Sequence, residues 1–209
     1  MSVLVPERPL RDLVAGPPSP RSVLRPPDVG GTAAWQVLVR DGAVRVLRGD
    51  AGCRPDVVVG PALRAGLVAS EVPTGAVVTG RTAVWIHTGA GDGEHLDLTC
   101  AAGRHRPDRP VGARLWQSPL LAADTVVIAG APVTVAERTA VELALHDDDP
   151  VRLLVALAQH GTDLDRVRRR LELRHRAVGR PRARRHLEAA REALGPTPAT
   201  PRARARGQA

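Results

Sequence analysis

The sequence predicts an α+β fold: a mixed α/β core between a degenerate N-terminal unit and a C-terminal set of basic helices. Strict apolar alternation in His95-Leu96-Asp97-Leu98-Thr99-Cys100 marks a strand, with Leu96, Leu98 and Cys100 turned inward. Helical spacing recurs through Ala140, Leu143 and Ala144 and again through Leu164, Val167 and Leu171. Fifteen of the 30 basic residues but only five of the 22 acidic ones lie from Val151 onward, giving net +10 there and −2 before it. At 209 residues and 43% hydrophobic composition, the chain suffices for one domain or two small ones.

Residues 1–27 form a proline-rich arm, with Pro6, Pro9, Pro17, Pro18, Pro20, Pro26 and Pro27 interrupting any helix. In 28–54, TAAWQVLV from Thr32 makes a short helix with Trp35, Leu38 and Val39 on one face. Asp41-Gly42 then reads as a hairpin turn and AVRVLRG as the returning strand. A helix followed by an arginine-bearing hairpin is how a winged helix ends, so this segment is expected to be a winged-helix remnant.

The α/β core is expected over 55–148. VVVGPALRAGLVASEV passes from a buried run into a helix, and Thr79 caps a second helix, RTAVWIH. The strand at 95–100 is followed by strand candidates VGARLWQS and TVVIAG, and Ala129-Gly130-Ala131-Pro132 turns the chain back. Thr134 is expected to cap VAERTAVELALH, with Arg138 and Glu142 paired at i,i+4 away from the apolar face. The basic helical segment, 149–194, opens one helix at Thr162, Asp163 and Asp165 and another at Pro181. Residues 195–209 read as a disordered basic tail. No internal repeat is expected.

Composition removes several chemistries. The sequence has no lysine, asparagine, tyrosine or phenylalanine, which excludes Schiff bases, P-loops, lysine-dependent nuclease centres and tyrosine nucleophiles. Trp35, Trp85 and Trp116 are too few to stack a single strand base by base. Cys53 and Cys100 lack metal-ligand spacing and fit a reduced cytosolic pair. The N-terminus meets Pro6, Glu7 and Arg8 too early for a signal peptide, and no run approaches the roughly 20 apolar residues of a membrane span. A soluble cytoplasmic protein with no membrane partner is expected.

TGAGDGEH follows a helix and precedes a strand, the reverse of a dinucleotide loop, and reads as a turn. His95 and Asp97 share a strand face, read as solvated rather than catalytic, and His146 before three aspartates reads as a helix boundary. None of the five serines sits in GxSxG or SxxK. No catalytic, cofactor or metal residues are therefore expected. Arg40, Arg45 and Arg48, in or beside the hairpin, and Arg168, Arg169 and Arg170, on a basic helix, are the candidate DNA-binding residues.

Four segments in order, VPTGAVVTGRTAVWIHTG, LDLTCAAGRHRPDRP, SPLLAADTVVIAGAPVTVAERTAVELAL and GRPRARRHLEAAREAL, resemble the AbiEi-type antitoxin-like proteins of high-GC bacteria. The best element runs from Pro132 to Ala144, and WQVLVRDGAVRVLRGDAG is similar to the family's last recognition-side helix and wing. The resemblance implies a non-enzymatic transcriptional regulator that binds double-stranded DNA and neutralises a nucleotidyltransferase-like toxin. The proline arm stands where the family has its first winged helices, and the chain ends without the endonuclease-like domain of many relatives. No nuclease activity is expected. The alternative is a protein-binding module with a decayed DNA-binding domain.

Overall fold

The structure, a computed structural model, describes residues 22–91, 93–103, 105–174 and 177–195. Most of the proline arm and almost all of the tail lie outside the described residues. The architecture is the expected mixture of helices and sheet. Helix α1 (Thr32–Arg40) buries Trp35. Asp41-Gly42 closes this helix instead of a hairpin: the Asp41 amide donates to Val37 O and the Gly42 amide to Val39 O. The last carbonyls of a helix need donors, and the adjacent Asp-Gly pair supplies them. The hairpin comes later, with β1 (Arg45–Arg48) and β2 (Ala51–Cys53) joined through Gly49-Asp50. Leu24 exchanges two backbone hydrogen bonds with Gly52, tying the end of the arm to β2.

The main sheet contains β3 (Ala76–Val78), β4 (Asp97–Ala101), β5 (Arg114–Ser118), β6 (Thr125–Ile128) and β7 (Ala131–Thr134), in the order β5-β4-β3-β7-β6. β3 runs parallel to β7 and β4 to β5, whereas β3 with β4 and β6 with β7 are antiparallel. The β6–β7 turn uses positive φ at Ala129 (45°) and Gly130 (85°), the combination that matches the twist of a tight hairpin. Around the sheet lie α2 (Pro61–Val68), α3 (Gly80–Thr88) and α4 (Ala136–His146). The C-terminal helices are α5 (Val151–Gln159), α6 (Leu164–Glu172) and α7 (Arg180–Leu194).

Trp85, Leu96, Leu98, Leu143 and Leu154 are buried, as their helical or strand phases predict. One apolar cluster joins Val78, Ile86, Leu98 and Val133 beneath the sheet. A second joins Val84 of α3 and Leu143 of α4 to Leu154, Leu171 and Leu187. α3 therefore contributes to both clusters, and no gap in packing falls at the 148/149 boundary, because α4 touches α5, α6 and α7. On β4, Asp97 and Thr99 are buried along with Leu98 and Cys100. The solvated face expected at Asp97 is absent because this inner strand, flanked by β3 and β5, is buried on both faces.

Two expected caps are made differently. Thr79 does hold the N-cap position of α3, but the bond to its first turn comes from the Asp97 carboxylate, which accepts from the Arg81 amide at 2.9 Å. Thr134 is paired as a strand residue with Thr125, so Val135 becomes the N-cap of α4. Asp163 caps α6 as expected, accepting from the Asp165 and Arg166 amides. Arg64 of α2 reaches the other end of α3, donating to Ile86 O (3.0 Å) and Val59 O (2.7 Å). Burial pulls its pKa down to about 10, so it remains a cation facing the negative end of the helix dipole.

The expectation of no repeat fails on a short one. Arg81-Thr82-Ala83-Val84 and Arg138-Thr139-Ala140-Val141 open the helices that follow β3 and β7, two adjacent parallel strands. Thr82 and Thr139 are both buried, with hydroxyls on backbone carbonyls: Thr82 on His95 (2.8 Å) and Thr139 on Val135 (3.1 Å). The structure thus holds two similar strand-to-helix units side by side.

Candidate functional site

Glu142 is fully buried in α4, although its spacing from Arg138 suggests a surface pair. The Arg138 guanidinium, also buried, donates to its Oε1. Arg174, after α6, donates to the same oxygen at 3.0 Å, and Ser118 at the end of β5 donates at 3.1 Å. The Trp116 indole N–H (3.1 Å) and His146 Nε2 (3.3 Å) reach Oε2. Arg138 also pairs with Asp124 Oδ2 at 3.2 Å, and Arg170 with Asp124 Oδ1 at 3.4 Å. Three guanidiniums thereby meet two carboxylates where β5, α4, α6 and the 122–124 turn converge.

Burial by itself would raise the pKa of Glu142. The hydrogen bond from His146 and the charges of Arg138 and Arg174 outweigh it and hold the carboxyl far below the usual carboxylate range. Burial pulls Arg138 the other way, below its ordinary 12.5, against the attraction of Glu142 and Asp124, but a guanidinium keeps its proton at neutral pH. A carboxylate so firmly ionised is a poor proton shuttle near neutrality. The cluster therefore works as an electrostatic clamp and as an anion-attracting surface, because its cations outnumber its anions. Among the described residues, Arg138 Nε and Arg170 Nη1 are buried without a hydrogen-bond partner, each an omission worth about 1–3 kcal/mol.

Pockets open on both sides of the clamp. One of about 260 Å³ has Arg138, Arg170, Arg174 and Asp124 on its polar side and Leu121, Val141 and Leu173 among its apolar walls. The other, about 210 Å³, lies against Asp97, Arg114, Trp116, His146 and Asp147. There Arg114 grips Asp97 through two bonds (2.7 and 3.0 Å), and Arg81 grips Asp147 the same way (2.6 and 2.8 Å). Gly80 makes this possible: its φ is +54°, and a Cβ there would sit 2.7 Å from Asp97 Oδ2.

The structure separates the six candidate arginines. Arg40 is exposed and pairs with Asp41. Arg45 is exposed and donates to Val57 O at 3.1 Å, whereas Arg48 is nearly buried against Glu71 at 2.9 Å. On α6, Arg168 and Arg169 are exposed and face carboxylates only at 3.7 and 3.9 Å, whereas Arg170 is turned partly into the clamp. The clamp itself goes unrecognised in the sequence because four separated segments build it. The nearest signal is the pair of Arg-Thr-Ala-Val stretches, each placing an arginine at a helix start.

Cys53 and Cys100 are buried free thiols. Among the described residues, no three His, Cys, Asp or Glu side chains group to hold a metal ion, and no helix is long and apolar enough to cross a membrane. No protein-family model matches the chain, and no curated protein matches its sequence.

Proposed function

We propose that this chain is a non-enzymatic, antitoxin-like transcriptional regulator of the cytoplasm that binds double-stranded DNA through the outer face of α6. The observation supporting this is the contrast between Arg168 and Arg169, which keep exposed heads with only long ion pairs, and Arg48, which is nearly buried in a 2.9 Å pair with Glu71. Exposed guanidiniums with loose partners exchange those partners for phosphates at little cost. The α/β core is left to face a protein partner, and the resemblance points to a nucleotidyltransferase-like toxin.

The test is a titration of DNA from upstream of the protein's own gene at several salt concentrations. Replacing Arg168 and Arg169 with alanine is expected to weaken binding to all duplexes and to lower the salt slope by about one unit per lost phosphate contact. Arg45→Ala and Arg48→Ala are expected to change little. The second reading, a protein-binding module with a decayed DNA-binding domain, draws its support from Arg48, held nearly buried against Glu71. It replaces the first if wild-type protein shows no preference for upstream DNA over random duplex at physiological salt.

A further inference from the structure

We infer that the pocket between α4, α6 and the turn after β5 binds a small carboxylic acid with an apolar body, in its ionised form. Among the described residues, Arg138, Arg170 and Arg174 pair with two carboxylates, Asp124 and Glu142, so the cluster carries one more cation than anion. Two nitrogens, Arg138 Nε with one N–H and Arg170 Nη1 with two, are buried with no acceptor among the described residues, and both arginines line the pocket. Unpartnered guanidinium nitrogens and an excess positive charge suit a carboxylate, an anion that guanidiniums recognise well.

The rest of the lining selects the body of the ligand. Pro119, Leu121, Val141 and Leu173 form the walls, and Leu121 and Leu173 stand 72% and 73% exposed at the rim. Large aliphatic side chains left in water beside a pocket gain by being covered. Inorganic phosphate covers none of this apolar surface. The volume, about 260 Å³, falls just below the roughly 300–1,000 Å³ range of drug-sized ligands, which points to on the order of ten non-hydrogen atoms.

The inference does not depend on DNA binding, and its test reads a different surface. Hexanoate and benzoate are titrated into the full chain carrying methyl labels, with shifts of the Val141 and Leu173 signals followed by NMR. Benzyl alcohol and inorganic phosphate serve as neutral and purely anionic controls. The expected result is saturable binding of both carboxylates with a Kd of about 1 mM or tighter, and at least about tenfold weaker binding of both controls. Arg170→Gln removes a free donor and Leu173→Glu sets a negative charge at the exposed rim; each is expected to weaken the carboxylates by about tenfold or more. Arg168→Ala with Arg169→Ala leaves carboxylate affinity unchanged. Failure to saturate with either carboxylate below about 10 mM, phosphate binding as tightly as hexanoate, or wild-type affinity in both pocket variants overturns the inference.

Discussion

Replacing Glu142 with glutamine keeps the size of the side chain and removes one charge from a fully buried position that faces the Arg138 and Arg174 cations. The amide can still accept from Trp116 or Ser118, but its NH2 group now confronts donors. Breaking a buried ion pair from one side costs about 3–5 kcal/mol, a large share of the roughly 5–15 kcal/mol that holds a domain together. With a urea m-value of about 2 kcal/mol/M, the midpoint of unfolding is expected to fall by about 1.5–2.5 M at an unchanged m. The pH dependence is a second arm. The folded-state pKa of Glu142 lies below its ordinary 4.5, so the unfolded chain binds the proton more readily. The stability from this carboxylate is fully present above about pH 4.5 and is lost as pH falls toward the depressed value. The gap between wild type and Glu142→Gln is therefore expected to narrow in acid. A midpoint shift under about 0.5 M near neutral pH, or a gap that stays constant into acid, would refute the role of the buried charge.

Gly80→Ala places a Cβ against Asp97 at a positive φ and is expected to cost at least about 2 kcal/mol by urea unfolding, with a fully wild-type midpoint counting against the described contact. His87 donates from Nε2 to the Thr134 carbonyl at 2.8 Å, and burial, with the Arg64 charge nearby, lowers its pKa below 6.5. Stability from neutral His87 is thus present above about pH 6.5 and declines below it; an NMR titration placing its pKa at or above 6.5 contradicts this. Leu143→Ala empties a site in the second core cluster and is expected to cost about 2–5 kcal/mol, read as a lower denaturation midpoint.

Periodicity carried the sequence reading furthest where one face of an element meets the core. Leu164, Val167 and Leu171 on α6, and Leu96 just before β4 with Leu98 on it, are buried as their spacing requires. It failed where an element is covered on both sides. In α4 the polar residues Arg138 and Glu142 are buried as well as Leu143, and on β4 so is Asp97. Spacing distinguishes two faces but does not reveal that both are dry. The burial of these charges follows from distant partners such as Asp124, Arg174 and Arg114, which no local window contains. At Asp41-Gly42 the local signal was real but served a helix end instead of a hairpin, since both demand a chain reversal that this dipeptide accommodates.

The parallel pairing of β3 with β7 bears on how the chain comes together during synthesis. β3 emerges from the ribosome before β4, β5 and β6, and all of these precede the strand that covers its other side. β4 can pair with β3 early, but the opposite edge of β3 waits until Val133 is available to meet Val78. An unpaired strand edge is a template for foreign chains, and brevity is one of the means by which proteins blunt it. β3 has three residues, Ala76–Val78, so the nascent chain offers only a short edge while the middle of the sheet stands open. Synthesis through Thr134 brings out the covering strand, and α4 follows directly with Arg138 and Glu142, which wait for Arg170 and Arg174 to complete the clamp.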